Sequence, residues 1–290
     1  MADRRKIVQW LALLANNANI RGFFEGRIYR GGLKSFCVPG LNCYSCPGAV
    51  ASCPLGSLQA MIGSYRYRFS FYVAGLMMGF GLLFGRLVCG FLCPFGLIQE
   101  LLHKVPFYKV RNTKTRFWRM AGYGKYFMLA VFVIALPMFA RNWAGMGEPA
   151  FCKYICPAGT LTAGLPLIAA NQPMRESIGL LFALKASIAA VVVVGCLSVF
   201  RFFCRTLCPL GAFYGFFNKI ALYRLNFDEH NCVHCGSCAR VCKMDVDPSR
   251  TPDSPECIRC GDCAALCPVS ALSAGFIQAE AQKTARGPAR

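Results

Sequence analysis

The sequence predicts a membrane α-helical fold, about four transmembrane helices in two parallel repeats, with a small α+β domain on its C-terminal side. Three observations carry that prediction. The 290 residues are 56% hydrophobic and only 16% charged, whereas soluble globular chains carry about 25% charged residues. Long apolar runs recur through the first three quarters of the chain, and one unit of sequence occurs twice. From about residue 225 the apolar runs stop and cysteines recur at tight spacing.

Four apolar stretches lie at roughly 7–24, 69–88, 120–140 and 178–200. Crossing a bilayer core takes about 20 mainly apolar residues. The second and fourth stretches meet that length, and the third carries Pro137 near one end. The first is interrupted by Asn16, Asn17, Asn19 and Arg21 and is expected to span only in part. Arg4, Arg5 and Lys6 before it look like a secretory start. No small-residue cleavage site follows, and an uncleaved anchor fits as well.

The net charge of +19 comes from 32 Lys and Arg against 13 Asp and Glu. These cations sit mostly between the apolar runs rather than in one patch, which points to a membrane lipid setting and no nucleic acid. The connection 101–125 concentrates Lys104, Lys109, Arg111, Lys114, Arg116, Arg119 and Lys125 and is expected in the cytoplasm. The connection 141–177, with Arg141, Lys153 and Arg175, is expected outside. Both termini are then cytoplasmic, in a multi-pass protein of the cytoplasmic (inner) membrane. The connection 25–68 falls outside despite Arg27, Arg30, Lys34, Arg66 and Arg68.

The repeated unit is Arg86-Leu-Val-Cys89-Gly-Phe-Leu-Cys93-Pro94-Phe-Gly96, matched by Arg201-Phe-Phe-Cys204-Arg-Thr-Leu-Cys208-Pro209-Leu-Gly211. Upstream of each lies another Cys-Pro, at Cys46-Pro47 and Cys156-Pro157. Two spans per unit give both copies one orientation, so an axis along the membrane normal relates them. Cys89, Cys93, Cys204 and Cys208 can then meet at the cytoplasmic surface as one shared site, since an iron–sulfur centre normally takes four thiolates. A mononuclear iron or zinc is the rival reading. Each proline suits the first position of a following helix, whose positive end favours an anionic cluster. Arg86 and Arg201 either add positive charge there or snorkel to the interface.

On the expected outer side stand Cys37, Cys43, Cys46, Cys53, Cys152 and Cys156. By symmetry Cys43, Cys46, Cys152 and Cys156 form a second shared site. Alternatively Cys37, Cys43, Cys46 and Cys53 hold a cluster, leaving Cys152 and Cys156 as a redox-active or disulfide pair. Cys196 has no partner and is expected simply to pack. Lys185, inside the fourth stretch, is expected to snorkel rather than to mark a functional site. His103 is expected on an ordinary interfacial helix rather than at a quinone.

Residues 221–275 carry two C-x2-C-x2-C-x3-C runs, Cys232, Cys235, Cys238, Cys242 and Cys257, Cys260, Cys263, Cys267. Paired runs of this kind exchange their fourth cysteine. One [4Fe–4S] cluster is therefore expected on Cys232, Cys235, Cys238 and Cys267, and the other on Cys257, Cys260, Cys263 and Cys242. Zinc sites pair two knuckles across a longer gap. Lys243 stands where the second run has Pro268, and His230 and His234 are expected in solvent. The expected division is a membrane domain 1–220, a dicluster ferredoxin domain 221–275 and a flexible tail 276–290.

Paired C-x-x-x-C-P motifs followed by this dicluster segment resemble the NapH and MauN type of membrane-bound polyferredoxin. The C-terminal half of the NosR proteins has a similar plan. The resemblance covers about residues 69–270. Its relatives carry electrons in the membrane to extracytoplasmic reductases or dehydrogenases, often from quinols, and it implies that role here. The Leu41-Asn-Cys-Tyr-Ser-Cys-Pro-Gly48 block and the Cys152–Cys156 motif lie outside that pattern. They resemble anaerobe membrane proteins known only as 4Fe–4S binding. The expected function is therefore electron transfer between a cytoplasmic or quinone-pool donor and a partner redox enzyme, as a subunit rather than a stand-alone enzyme. A redox-sensing or assembly role is the alternative, and a transporter is a third. Two [4Fe–4S] clusters and one or two further iron–sulfur or iron sites are the expected cofactors. No haem-binding C-x-x-C-H and no dinucleotide fingerprint occurs.

Overall fold

The structure, a computed structural model, describes residues 2–64, 71–110, 115–140 and 146–276. The expected tail beyond Phe276 lies outside the described residues. So do residues 69–70 of the second stretch and the connection cations Arg66, Arg68, Arg111, Lys114 and Arg141.

Among the described residues two helices are long and apolar enough to cross a membrane, Arg116–Phe139 and Leu180–Ser198. They correspond to the third and fourth stretches. The second stretch forms the shorter helix Phe71–Phe84. It stops at Gly85, whose φ of 55° turns the chain toward the helix Leu87–Phe91. The first stretch is not one helix. Ala2–Asn16 is helical, after which the asparagines redirect their amides. Asn17 Nδ2 donates to the Leu13 carbonyl at 3.0 Å and Asn19 Nδ2 to the Pro47 carbonyl at 2.8 Å. Side-chain bonds of this kind compete with helix continuation.

Four helices begin alike. Pro54, Pro94, Pro157 and Pro209 each occupy the first helical turn, and each follows a cysteine at the N-cap position. A proline there loses no hydrogen bond, because the first-turn N–H has no partner within the helix. The helices that follow are Pro54–Gly63, Pro94–Leu102, Pro157–Ala170 and Pro209–Phe217. They pack with the long helices around one core that contains Leu55, Met77, Val133, Phe151, Val192 and Phe203.

The C-terminal part is closed by two antiparallel strands, β1 (Tyr223–Phe227) and β2 (Leu272–Phe276), paired from Tyr223 with Phe276 to Phe227 with Leu272. Leu225 and Leu272 pack on Cys263 beneath them. Between the strands the two cysteine runs follow one backbone course. His234 and Arg259 share left-handed φ values of 51° and 53°, and Gly236 and Gly261 share 69° and 81°. Each pair is followed by a short helix, Ser237–Val241 and Asp262–Ala265. The turn wraps the chain so that its first three cysteines line one cavity.

Asn218 joins this part to the helices. Its side chain is fully buried. Nδ2 donates to the carbonyls of Ser254 at 2.8 Å and Cys257 at 2.9 Å, while Oδ1 accepts from the Arg86 backbone N–H at 2.9 Å.

Candidate functional site

The structure gathers the C-terminal cysteines by the exchanged pattern. A cavity of 200 Å³ is lined by Cys232, Cys235, Cys238 and Cys267 together. A smaller one is lined by Cys242, Cys257, Cys260 and Cys263. Burial pushes the Cys257 thiol up to about 11 and the Cys263 thiol up to about 12, and raises Cys242 and Cys260 as well. Such thiols keep their protons until a metal displaces them. His230 and His234 are exposed, as expected. Among the described residues no three Cys, His, Asp or Glu side chains close on one point as single-ion ligands do. A cubane cluster holds its thiolates farther apart, at the corners of a larger body. Four cysteines around each cavity match the four thiolates that an iron–sulfur cluster takes.

Cys89, Cys93, Cys204 and Cys208 are buried together, 4–7% exposed. The arginines of the two repeats cross between them. Arg201 Nη1 donates to the Cys89 carbonyl at 2.6 Å, and Arg86 Nη2 donates to the Cys204 carbonyl at 2.9 Å. Both arginines are fully buried, so snorkelling is excluded. Each is held by a carboxylate that composition did not single out. Glu100 accepts from Arg201 Nε at 2.9 Å and from Arg5 Nη1 at 2.8 Å. Glu256 accepts from Arg86 Nη1 at 2.8 Å and from Lys125. Four cations against two carboxylates leave positive charge in excess around the quartet. That excess suits four thiolates carrying an anionic cluster. Gln99 completes the surroundings: Nε2 donates to Cys204 Sγ at 3.1 Å and Oε1 accepts from the Phe203 N–H at 3.1 Å. Gln99, Glu100, Glu256 and Asn218 were missed by motif reading. A sequence signal did exist for the glutamine, since Cys-Pro-x-Gly-x-x-Gln occurs at 93–99 and again at 53–59.

The outer cysteines sort differently from either expected grouping. A cavity of 520 Å³ is lined by Cys43, Cys53, Cys152 and Cys156. Cys46 packs instead with Ala49 and Ala163, its Sγ 3.8 Å from Asn17 Oδ1. Cys37 Sγ lies 3.3 Å from Ser57 Oγ. Lys185 does not reach away to the surface: it lines the cavity, and its Nζ donates to the Cys152 carbonyl at 3.3 Å. Cys196 is fully buried and packed, with Sγ 3.6 Å from Gln99 Oε1. His103 ends the helix Pro94–Leu102, with Nδ1 3.1 Å from the Cys196 carbonyl.

Residues 69–115, 126–172 and 181–227 match the family described as 4Fe-4S binding domain. Its three copies each carry one C-x-x-x-C-P motif, where the sequence reading counted two repeats. The Cys152–Cys156 copy lacks the leading arginine that made the other two stand out. The chain is similar to an uncharacterized protein of Methanocaldococcus jannaschii, 29% identical over 167 residues, covering 57% of this chain and 61% of that protein. It is also similar to the methylamine utilization ferredoxin-type protein MauN of Methylorubrum extorquens, 29% identical over 168 residues, 54% of this chain and 47% of that one. MauN of Paracoccus denitrificans is 26% identical over 176 residues, 59% and 53%. The chain thus spans about half to three fifths of these relatives' length. No solved structure matches.

Proposed function

Since the chain is a polyferredoxin of the MauN and NapH type, we propose that it is a membrane-bound conduit linking a cytoplasmic or quinone-pool donor to a partner redox enzyme. Bound [4Fe–4S] clusters would supply reversible uptake of single electrons. The chain's own residues hold them, exclude water and set the charge around them. We assign one cluster to Cys232, Cys235, Cys238 and Cys267, one to Cys242, Cys257, Cys260 and Cys263, and one to Cys89, Cys93, Cys204 and Cys208.

The observation that carries this reading is the succession of the three groups from surface to core. Cys235 is exposed, Cys263 is buried, and the inner quartet lies deeper in the helical core. Asn218 spans the second step, bonding the Cys257 carbonyl on one side and the Arg86 backbone on the other. Arg86 in turn bonds the Cys204 carbonyl. The helix Ala2–Asn16 gives the depth. Its Arg5 is bonded to Glu100, and Asn17 beyond its end lies beside Cys46. Fifteen residues rise about 22 Å, less than the roughly 30 Å of a bilayer core. The layers that these two contacts mark are thereby closer together than a bilayer core is thick.

A four-span topology with both termini cytoplasmic is part of the proposal. The two long apolar helices and the basic connection 101–125 support it. Reporter fusions after Lys109 and after Arg175 test it, the first active only in the cytoplasm and the second only outside. The cluster assignment is tested by anaerobic purification with iron and sulfide analysis and EPR. About eight irons would leave only the ferredoxin pair and refute the inner site, and about twelve or more are expected. Cys204→Ala should remove one cluster's signal and leave the ferredoxin signals intact.

A further inference from the structure

We propose that Cys43, Cys53, Cys152 and Cys156 hold a further [4Fe–4S] cluster, in a site built on the same plan as the Cys89/Cys93/Cys204/Cys208 quartet. The inference rests on the reading of that inner quartet as a cluster site, and it extends the series past it.

The two sites share a set of hydrogen bonds. At the inner site Gln99, six residues after Cys93, donates to Cys204 Sγ at 3.1 Å and accepts from the Phe203 N–H at 3.1 Å. At the outer site Gln59, six residues after Cys53, donates to Cys152 Sγ at 3.2 Å and accepts from the Phe151 N–H at 3.0 Å. The second cysteine of each motif bonds five residues back, Cys208 N–H to the Phe203 carbonyl and Cys156 N–H to the Phe151 carbonyl, both at 2.9 Å. Each of those sulfurs then accepts from a first-turn amide, Cys208 from Gly211 at 3.4 Å and Cys156 from Gly159 at 3.5 Å. Cys53 therefore corresponds to Cys93, Cys152 to Cys204, and Cys156 to Cys208.

The cation is matched too. The carbonyl of the leading cysteine accepts from Arg201 at Cys89, from Arg86 at Cys204 and from Lys185 at Cys152. A lysine inside an apolar helix is costly unless it has a task. Here its charge lies at the wall of the cavity, where an anionic cluster would compensate it.

Cys43 supplies the fourth thiol. A methyl placed on Gly159 would stand 3.5 Å from Cys43 Sγ and 3.9 Å from Cys156 Sγ, and one on Gly56 would stand 3.8 Å from Cys152 Sγ. Both glycines follow the Cys-Pro pair by the same interval and leave their side of the cavity open. A volume of 520 Å³ is ample for a cubane and excessive for one ion. The site also lies close to the inner quartet. Leu41 lines this cavity, while its neighbour Gly40 packs against the Cys93 backbone, a built Cβ falling 2.8 Å from Cys93 Cα.

The test is iron and sulfide analysis with EPR on the full chain purified anaerobically, as wild type and as Cys53→Ser, Cys152→Ser, Cys46→Ser and Gln59→Leu. The expected wild-type content is about sixteen irons. Cys53→Ser and Cys152→Ser should each lose about four with the ferredoxin signals unchanged, and Cys46→Ser should lose none. Gln59→Leu keeps all four thiols and should shift one cluster signal that is neither a ferredoxin signal nor the one Cys204→Ala removes, which decides the matter should the serine variants misfold. Iron content and spectra unaltered in both Cys53→Ser and Gln59→Leu, or disulfides among these four cysteines by mass analysis, would overturn the proposal. Loss of a signal in Cys204→Ala would then still uphold the inner site. Its absence, with the outer signal present, would refute the inner site alone.

Discussion

Glu256 is the carboxylate on which the ferredoxin part is pinned to the helices, and Glu256→Gln removes its charge with little change of shape. Arg86 and Lys125 are both fully buried, and Glu256 is 30% exposed. Breaking a buried pair by deleting one charge costs about 3–5 kcal/mol. The partial exposure of Glu256 favours the lower end, so about 3 kcal/mol is expected, or roughly a hundredfold at 1.4 kcal/mol per tenfold. Hydrogen exchange of the iron-loaded full chain reads this directly. The Cys257 amide donates to the Ser254 carbonyl at 3.0 Å inside the docked segment, and peptides covering 254–259 should lose about two orders of magnitude of protection. Protection within threefold of wild type would refute the pinning role. The pH dependence has a definite sign. Burial works to raise the Glu256 pKa, but the Arg86 and Lys125 charges prevail and hold it at about 2. A depressed carboxylate stabilises above its unfolded pKa and loses that contribution only as pH falls through the folded value. Protection of this segment should therefore be flat from pH 7 to pH 5.

Gln99→Leu should lower the midpoint potential of one cluster and spare the ferredoxin pair in an EPR-monitored titration, because it deletes an N–H bond to Cys204 Sγ. The same change strands the buried Phe203 amide, at a cost of about 1–3 kcal/mol. Asn218→Leu removes the acceptor of the Arg86 amide and both donors to the 254–257 loop. It should raise proteolysis of full-length protein between Asn218 and Cys257, and an unchanged cleavage rate would count against the joint. Oxidative or chelator-driven iron loss should run in order of exposure. The quartet containing the exposed Cys235 should empty first, and the quartet at 4–7% exposure last.

The ferredoxin runs were readable because their chemistry is local: spacing within eleven residues fixes the turn, and the exchange of Cys242 and Cys267 follows from it. The helix starts at Pro94 and Pro209 were legible for the same reason. What the sequence did not disclose depends on meetings between distant segments. The position of Arg86 in the sequence suits either a charge at the site or an interfacial side chain, and only its meeting with Cys204 and Glu256 distinguishes them. Cys46 and Cys53 both precede a proline, and only packing shows that Cys53, and not Cys46, faces Cys152 and Cys156. The break in the first apolar stretch is legible in its asparagines, since Asn17 and Asn19 bond backbone carbonyls through their side chains.

The crossed arginines also govern how the chain can be made. Arg86 and the Cys204 carbonyl are 118 residues apart, and Arg201 and the Cys89 carbonyl 112. A ribosome delivers the first half of the inner site long before the second. Until residues 201–208 emerge, Cys89 and Cys93 have neither their partner thiols nor the guanidinium that steadies their loop. The four thiols of the proposed inner site therefore first come together only after residue 208 has emerged, so the site is completed late in the making of the chain.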